Sequence, residues 1–192
     1  MPRAGLTRDR VADEALTMVD EVGLAQLTLA GLAQRLGVRQ PSLYKHIGSI
    51  ADLRRDVSVR SVRLLGTALA RAAVGRSGAD SIRSMATTYR QWALAHPAWY
   101  EASQAKPSAG DTSHADDMLE VIATIAAVLT AYELEGDDSI DAIRALRSML
   151  HGFVTFEAQG TFELTADIDR SFERMIDGYV VALAQWGDAG SS

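Results

Sequence analysis

Apolar residues recur at three- and four-residue spacing along almost the whole of this 192-residue chain, a period that predicts helices separated by short polar breaks. In the segment from 27, Leu29, Leu32, Ala33 and Leu36 share one face, Thr28 stands where an N-cap belongs, and Gly37 can take the positive φ that ends the helix. Val38 anchors the turn, and the next, short helix must start almost at once, with Pro41 tolerated in its first turn and Leu43 facing inward. An amphipathic run from Ser49 to about Ala73 ends in a Gly- and Ser-containing stretch at 74–78. Further helices are predicted over about 79–95, 98–104, 114–134, 139–159 and 167–186. His96-Pro97 breaks the first of these, and 105–112 forms a polar loop after the second. The one strand-like piece, 153–156, is too short and too well embedded in a helical period to change the class. The pattern predicts an all-α protein of about nine helices.

The segment 27–53 carries the most chemistry. Two short helices joined by a tight turn leave Arg39, Gln40, Ser42, Tyr44, Lys45 and His46 outward on the second, and nearly all of them donate hydrogen bonds. Such a row suits the major groove, where Arg reads guanine O6 and N7, Gln reads adenine, and Ser, Tyr and Lys can hold phosphates. A helical corner with a solvated polar face would show the same pattern without binding DNA. Charge is distributed in keeping with the first reading. Residues 1–63 hold ten Lys/Arg and seven Asp/Glu, whereas the rest of the chain holds nine and eighteen, so the overall −6 hides a mildly basic head on an acidic body. Arg3, Arg8 and Arg10 could reach flanking phosphates or simply solvate the N-terminus.

Composition narrows the other classes. The absence of cysteine excludes disulfides, thiolate catalysis and cysteine-ligated metals. No phosphate-cradling glycine loop or Gly-x-Ser-x-Gly occurs, and His46, His96, His114 and His151 lack metal-ligand spacing, so neither an enzyme nor a cofactor or metal site is expected. No apolar run approaches the roughly 20 residues that span a bilayer, and the N-terminus lacks a signal-peptide core; a cytoplasmic location without membrane contact is the expectation.

The run LGVRQPSLYKHI at 36–47, preceded by Leu27-Thr28, resembles the DNA-binding segment of the TetR family of transcriptional repressors. The resemblance implies that Thr28 and Tyr44 touch phosphates, that Lys45 and His46 brace the DNA backbone, and that Arg39, Gln40 and Pro41 face the bases. One departure stands out: the family usually carries a Lys at the start of the fourth helix, where this chain has Ile50, although Ser49 and Asp52 still resemble an N-cap with an acidic third residue. WALAHPAWYEAS at 92–103 and RALRSMLHGFVTFEAQGTFE at 144–163 resemble the C-terminal domain of a subgroup named for a Trp-His-Gly motif, of which His151-Gly152 is kept. The implied organisation is a helix-turn-helix domain at 1–48, with Leu6 to Val22 as its first helix, and a helical ligand-binding and dimerisation domain at 49–192. Its function would be that of a homodimeric regulator, a repressor released from a palindromic double-stranded operator by a small-molecule effector. The rival reading is a ligand-binding helical protein without DNA recognition.

Ile140, Ile143, Leu146, Leu150, Val154, Phe172, Ile176, Tyr179, Val180 and Leu183 supply apolar helical surface for a dimer through the last two helices, or for the core of a single chain. Tyr89, Trp92, Trp99, Tyr100, Met118, Ile122, Met149, Phe153 and Phe156 could line an apolar ligand cavity with His96, His151 and Glu157 as polar points, or could be plain core.

Overall fold

The structure, a computed structural model, describes residues 5–108, 110–134 and 136–189. Among them are eight α-helices and three 3-10 segments. The helices are α1 (Arg8–Val22), α2 (Leu29–Leu36), α3 (Ile50–Ala73), α4 (Gly78–Ala95), α5 (Pro97–Ser103), α6 (Thr112–Leu129), α7 (Gly136–Ala158) and α8 (Ile168–Ala189). The 3-10 segments span Leu24–Gln26, Gln40–Lys45 and Thr130–Tyr132. The all-helical class is as expected. Two expectations change in detail: the short helix expected after Gly37 is a six-residue 3-10 turn, and the helix expected to reach 134 stops at Leu129.

The chain divides into two compact units. The first comprises Met1–Leu64 and His96–Asp117, so it contains the segment 1–48 together with the N-terminal part of α3, all of α5 and the start of α6. Its core is the apolar faces of α1 (Val11, Ala15, Val19), α2 (Leu32) and α3 (Leu53, Val57), closed by Leu43 and Ile47. α5 belongs to this unit for a local reason. Trp99 donates its indole N–H to the Leu16 carbonyl at 2.9 Å, and His96 stacks on Trp99 with ring centroids 4.3 Å apart. The His96 Nδ1 also lies 3.2 Å from Asp20 of α1.

Ion pairs tie the same unit together. Asp56, buried on α3, accepts from the Arg8 guanidinium through both oxygens at 2.9 Å. Arg55 forks onto Asp111, at the mouth of α6, and His114, also buried, lies 3.2 Å from the Ser58 hydroxyl. The Arg55 guanidinium, helped by the His114 backbone N–H, holds the Asp111 carboxyl down at about 2. A carboxylate with a depressed folded-state pKa contributes stability above its ordinary pKa and loses that contribution as pH falls through the folded value. The Arg55–Asp111 clasp is therefore expected to hold at about pH 4 and to open near pH 2. Denaturant titrations across that window should show a steeper loss of stability in the parent than in Asp111→Asn, and parallel slopes would refute the clasp.

The second unit comprises Leu65–Ala95 and Met118–Ser192, in which α4 packs on α7 and α8 and those two pack on each other. Ile82, Met85 and Tyr89 of α4, Leu146, Leu150 and Val154 of α7, and Phe172, Ile176, Tyr179 and Leu183 of α8 are buried. Most of the surface that the sequence offered for a dimer is thus internal core, and of those ten residues Ile140 alone is exposed. The Tyr179 hydroxyl, its pKa pushed up by burial, donates to the Ala142 carbonyl at 2.8 Å. Gly66, in mid-helix on α3, is explained by close approach: a Cβ there would lie 2.9 Å from Val121 Cγ2 of α6, a stiff β-branched neighbour. No helix among the described residues is long and apolar enough to cross a membrane.

Candidate nucleic-acid interface

Local chemistry builds the reading segment from its ends inward. Thr28, in extended conformation, caps α2 by accepting the Gly31 N–H at 3.1 Å, which leaves its hydroxyl hydrogen available to a phosphate. α2 ends at Gly37 in the left-handed region (φ 66°), and the N–H groups of Gly37 and Val38 return to the Gln34 and Ala33 carbonyls. The chain re-enters at Arg39, whose carbonyl accepts from Ser42 N–H at 2.8 Å, and Pro41 fits the first turn because its missing N–H has no partner to lose there. Leu43 is fully buried and its carbonyl accepts from both His46 and Ile47. These two anchors, Leu43 and Ile47, pin the turn to the core and leave its other face to solvent.

On that face Arg39, Gln40, Pro41, Tyr44 and Lys45 are exposed, Tyr44 by 52%, while Ser42 and His46 are half-buried. The structure therefore brings the predicted DNA-contacting side chains together on one short turn, with Thr28 at the head of the preceding helix. Ile50 packs against the core of this unit, which explains an apolar residue at that position.

Which cations are available is decided by the ion pairs. Arg35 of α2 bridges Glu14 and Glu21 of α1 at 2.7 and 2.6 Å, Arg60 meets Asp9 and Asp13, and Arg63 meets Asp117. With Arg8 and Arg55 also committed, the basic head is largely neutralised from within. Arg39, Lys45 and Arg54 are exposed and make no ion pair among the described residues. Arg54 was not singled out by sequence; it lies on the first turns of α3, one turn beyond the position where a basic residue was missed, and counting forward by four from Ile50 would have found it. Arg3 lies outside the described residues.

Residues 82–179 match the family model described as Tetracyclin repressor-like, C-terminal domain. An uncharacterised HTH-type transcriptional regulator of Mycobacterium tuberculosis is 37% identical over 174 residues, covering 90% of this chain and 79% of the relative. The chain belongs to the TetR family of helix-turn-helix transcriptional regulators. This TetR-family regulator shares its fold with a TetR variant from Acinetobacter baumannii in complex with minocycline, with TM-score 0.70, 22% identity, and coverage of 95% of this chain and 98% of that one. It is also similar in fold to BioQ with its double-stranded DNA operator, with TM-score 0.62, 19% identity, and coverage of 92% and 99%.

Phe156 and His151, both in the second unit, are exposed; the other ten candidate ligand residues of the regulator fall in two groups. His96, Trp99 and Tyr100 lie in the first unit, the first two of them bound to α1. Tyr89, Trp92, Met118, Ile122, Met149, Phe153 and Glu157 lie in the second. Tyr89 and Tyr100 are buried, and Trp92, Met118, Ile122, Met149 and Phe153 are half-buried. Glu157 receives a bidentate hydrogen bond from Arg90, at 2.7 Å for Nε, and Arg90 also meets Asp169 at 2.7 Å. The Arg90 guanidinium lies 5.6 and 5.0 Å from the ring centroids of Phe153 and Phe172, and its pKa is raised chiefly by the hydrogen bonds to Glu157.

Proposed function

We propose that this regulator is a cytoplasmic homodimeric repressor that leaves a palindromic operator when a small-molecule effector binds. Residues 1–48 read DNA and 49–192 carry ligand sensing and dimerisation. What carries the reading is the exposed turn Gln40–Lys45, held by Leu43 and Ile47, in a head whose remaining arginines are mostly paired internally. Arg39 and Gln40 read base edges, Pro41 lies against them, and Thr28, Ser42, Tyr44, Lys45, His46 and Arg54 hold phosphates. Arg54 takes the place of the basic residue absent at 50. A dimer is supported by apolar side chains left exposed on α7 and α8, Ile140 and Val181 among them. Effector binding in the second unit is supported by its aromatic and Met residues, and by the fold shared with a structure that holds minocycline.

Selection of bound duplexes from a random pool tests this: a palindrome with half-sites about one helical turn apart, roughly 10 bp, is expected, and enrichment of no motif by folded protein overturns it. On the selected operator, Lys45→Ala and Arg54→Ala should weaken binding evenly across sequences and each reduce the salt dependence by about one phosphate. Arg39→Ala should instead relax base preference by about 1–3 kcal/mol at one position. Unchanged binding in all three would remove the turn and α3 from the interface.

A further inference from the structure

We infer that the turn between α7 and α8 forms a binding site for a hydrophobic cation, a protonated or quaternary amine with an apolar body. The inference names the ligand chemistry of a site in the second unit, and as an effector site it rests on the sensing role proposed above. Between the C-terminal turn of α7 and the start of α8 lies a cleft of about 430 Å³, bounded by Phe153, Phe162, Leu164 and Ile168 with Glu163 among them. That volume falls within the range of small-molecule sites.

Aromatic and charged groups define what fits. Phe162 sits between two other rings, its centroid 4.9 Å from Phe153 and 6.1 Å from Phe156, and Phe156 remains 53% exposed. Leu164 is 87% exposed, an apolar side chain held in water beside the rings. Arg90 already lies 5.6 Å from the Phe153 ring centroid, so the lining ring left to a ligand is Phe162, which offers a π face and no hydrogen-bond donor and favours a cation whose charge is spread over alkyl groups. The local field has the same sign. Residues 157–173 carry five carboxylates and one arginine, and Arg90 offsets only part of this through Glu157 and Asp169. Glu163, exposed in the cleft wall, pairs with no cation among the described residues. An anion would meet these carboxylates, and a neutral apolar ligand would gain nothing from them.

The full-length protein should be titrated calorimetrically with phenyltrimethylammonium, with its neutral isostere tert-butylbenzene, and with benzenesulfonate. The cation is expected to bind about tenfold more tightly than either, the equivalent of one desolvated cation–π contact plus a carboxylate. Phe162→Ala should lower that affinity about tenfold. Glu163→Lys, at an exposed position that leaves packing untouched, should abolish the preference for the cation while the melting temperature stays that of the parent. Equal binding of the neutral isostere, binding of none of the three because a second copy covers the cleft, or a cation preference that survives Glu163→Lys would each overturn the inference. Duplex selection on the same preparation separates the two failures: an enriched operator without cation binding refutes only this site.

Discussion

Leu43→Ala is expected to destabilise the first unit by about 2–5 kcal/mol and to abolish operator binding, although Leu43 is fully buried and cannot touch DNA itself. The side chain is fully buried beneath a six-residue 3-10 turn, and with Ile47 it is the turn's main apolar attachment. A 3-10 segment of that length has poor hydrogen-bond geometry of its own and keeps its shape only through such anchors. Truncation leaves a cavity and releases the turn, so Arg39, Gln40, Tyr44 and Lys45 lose their common orientation together. Tyr44→Ala makes the contrast: at an exposed site it should alter stability by less than about 0.5 kcal/mol while weakening operator binding. Denaturant unfolding and operator titration on both variants check this. A Leu43→Ala protein of parental stability and affinity would show that the turn is held by something else.

Glu157→Gln should cost about 1.5–3 kcal/mol, because it removes the bidentate counter-charge of Arg90, whose side chain is only 15% exposed, and leaves it only the solvent-exposed Asp169. Phe153 and Phe172 cover part of the guanidinium and do not replace a carboxylate. Converting both partners, Arg90→Met with Glu157→Met, should recover most of the loss, since the desolvation of two charges disappears along with their attraction. Denaturant unfolding of the single and double variants gives the coupling directly. A coupling below about 0.5 kcal/mol would mean that the pair contributes no more than a surface ion pair.

The sequence made the helices legible wherever a 3.6-residue period ran for several turns, as in α3, α4, α7 and α8, whose observed bounds lie close to those expected. The reading turn was legible for a different reason. Thr28, Gly37 and Pro41 each have a backbone preference that admits few alternatives, and Leu43 is flanked by polar residues. What the period could not show is partnership across distance. Arg8 meets Asp56 48 positions away, Arg55 meets Asp111 56 away, and Arg90 meets Glu157 67 away. Local spacing carries no information on such pairs, so the head's net charge overstated the cations it presents. For the same reason the aromatic segment 96–100, which reads as cavity lining, contains His96 and Trp99 bound to α1: the indole N–H needed a carbonyl, and Leu16 supplies it. The apolar residues of α7 and α8 were read chiefly as dimer surface, whereas seven of the ten are buried within the chain; a helical stripe cannot say whether its cover comes from the same chain or from a second copy.

The pairing of the head's arginines with its own carboxylates bears on how such a molecule finds its target in a cell. Attraction to DNA of arbitrary sequence grows with the number of counterions that the protein displaces, and side chains already matched to Asp and Glu displace none. Arg8, Arg35, Arg55, Arg60 and Arg63 are matched in this way. On the mode of binding proposed above, bulk chromosome is then expected to be a shallow trap for this protein, with occupancy of a control site depending more on the groups that would meet base edges than on competition from the surrounding phosphates.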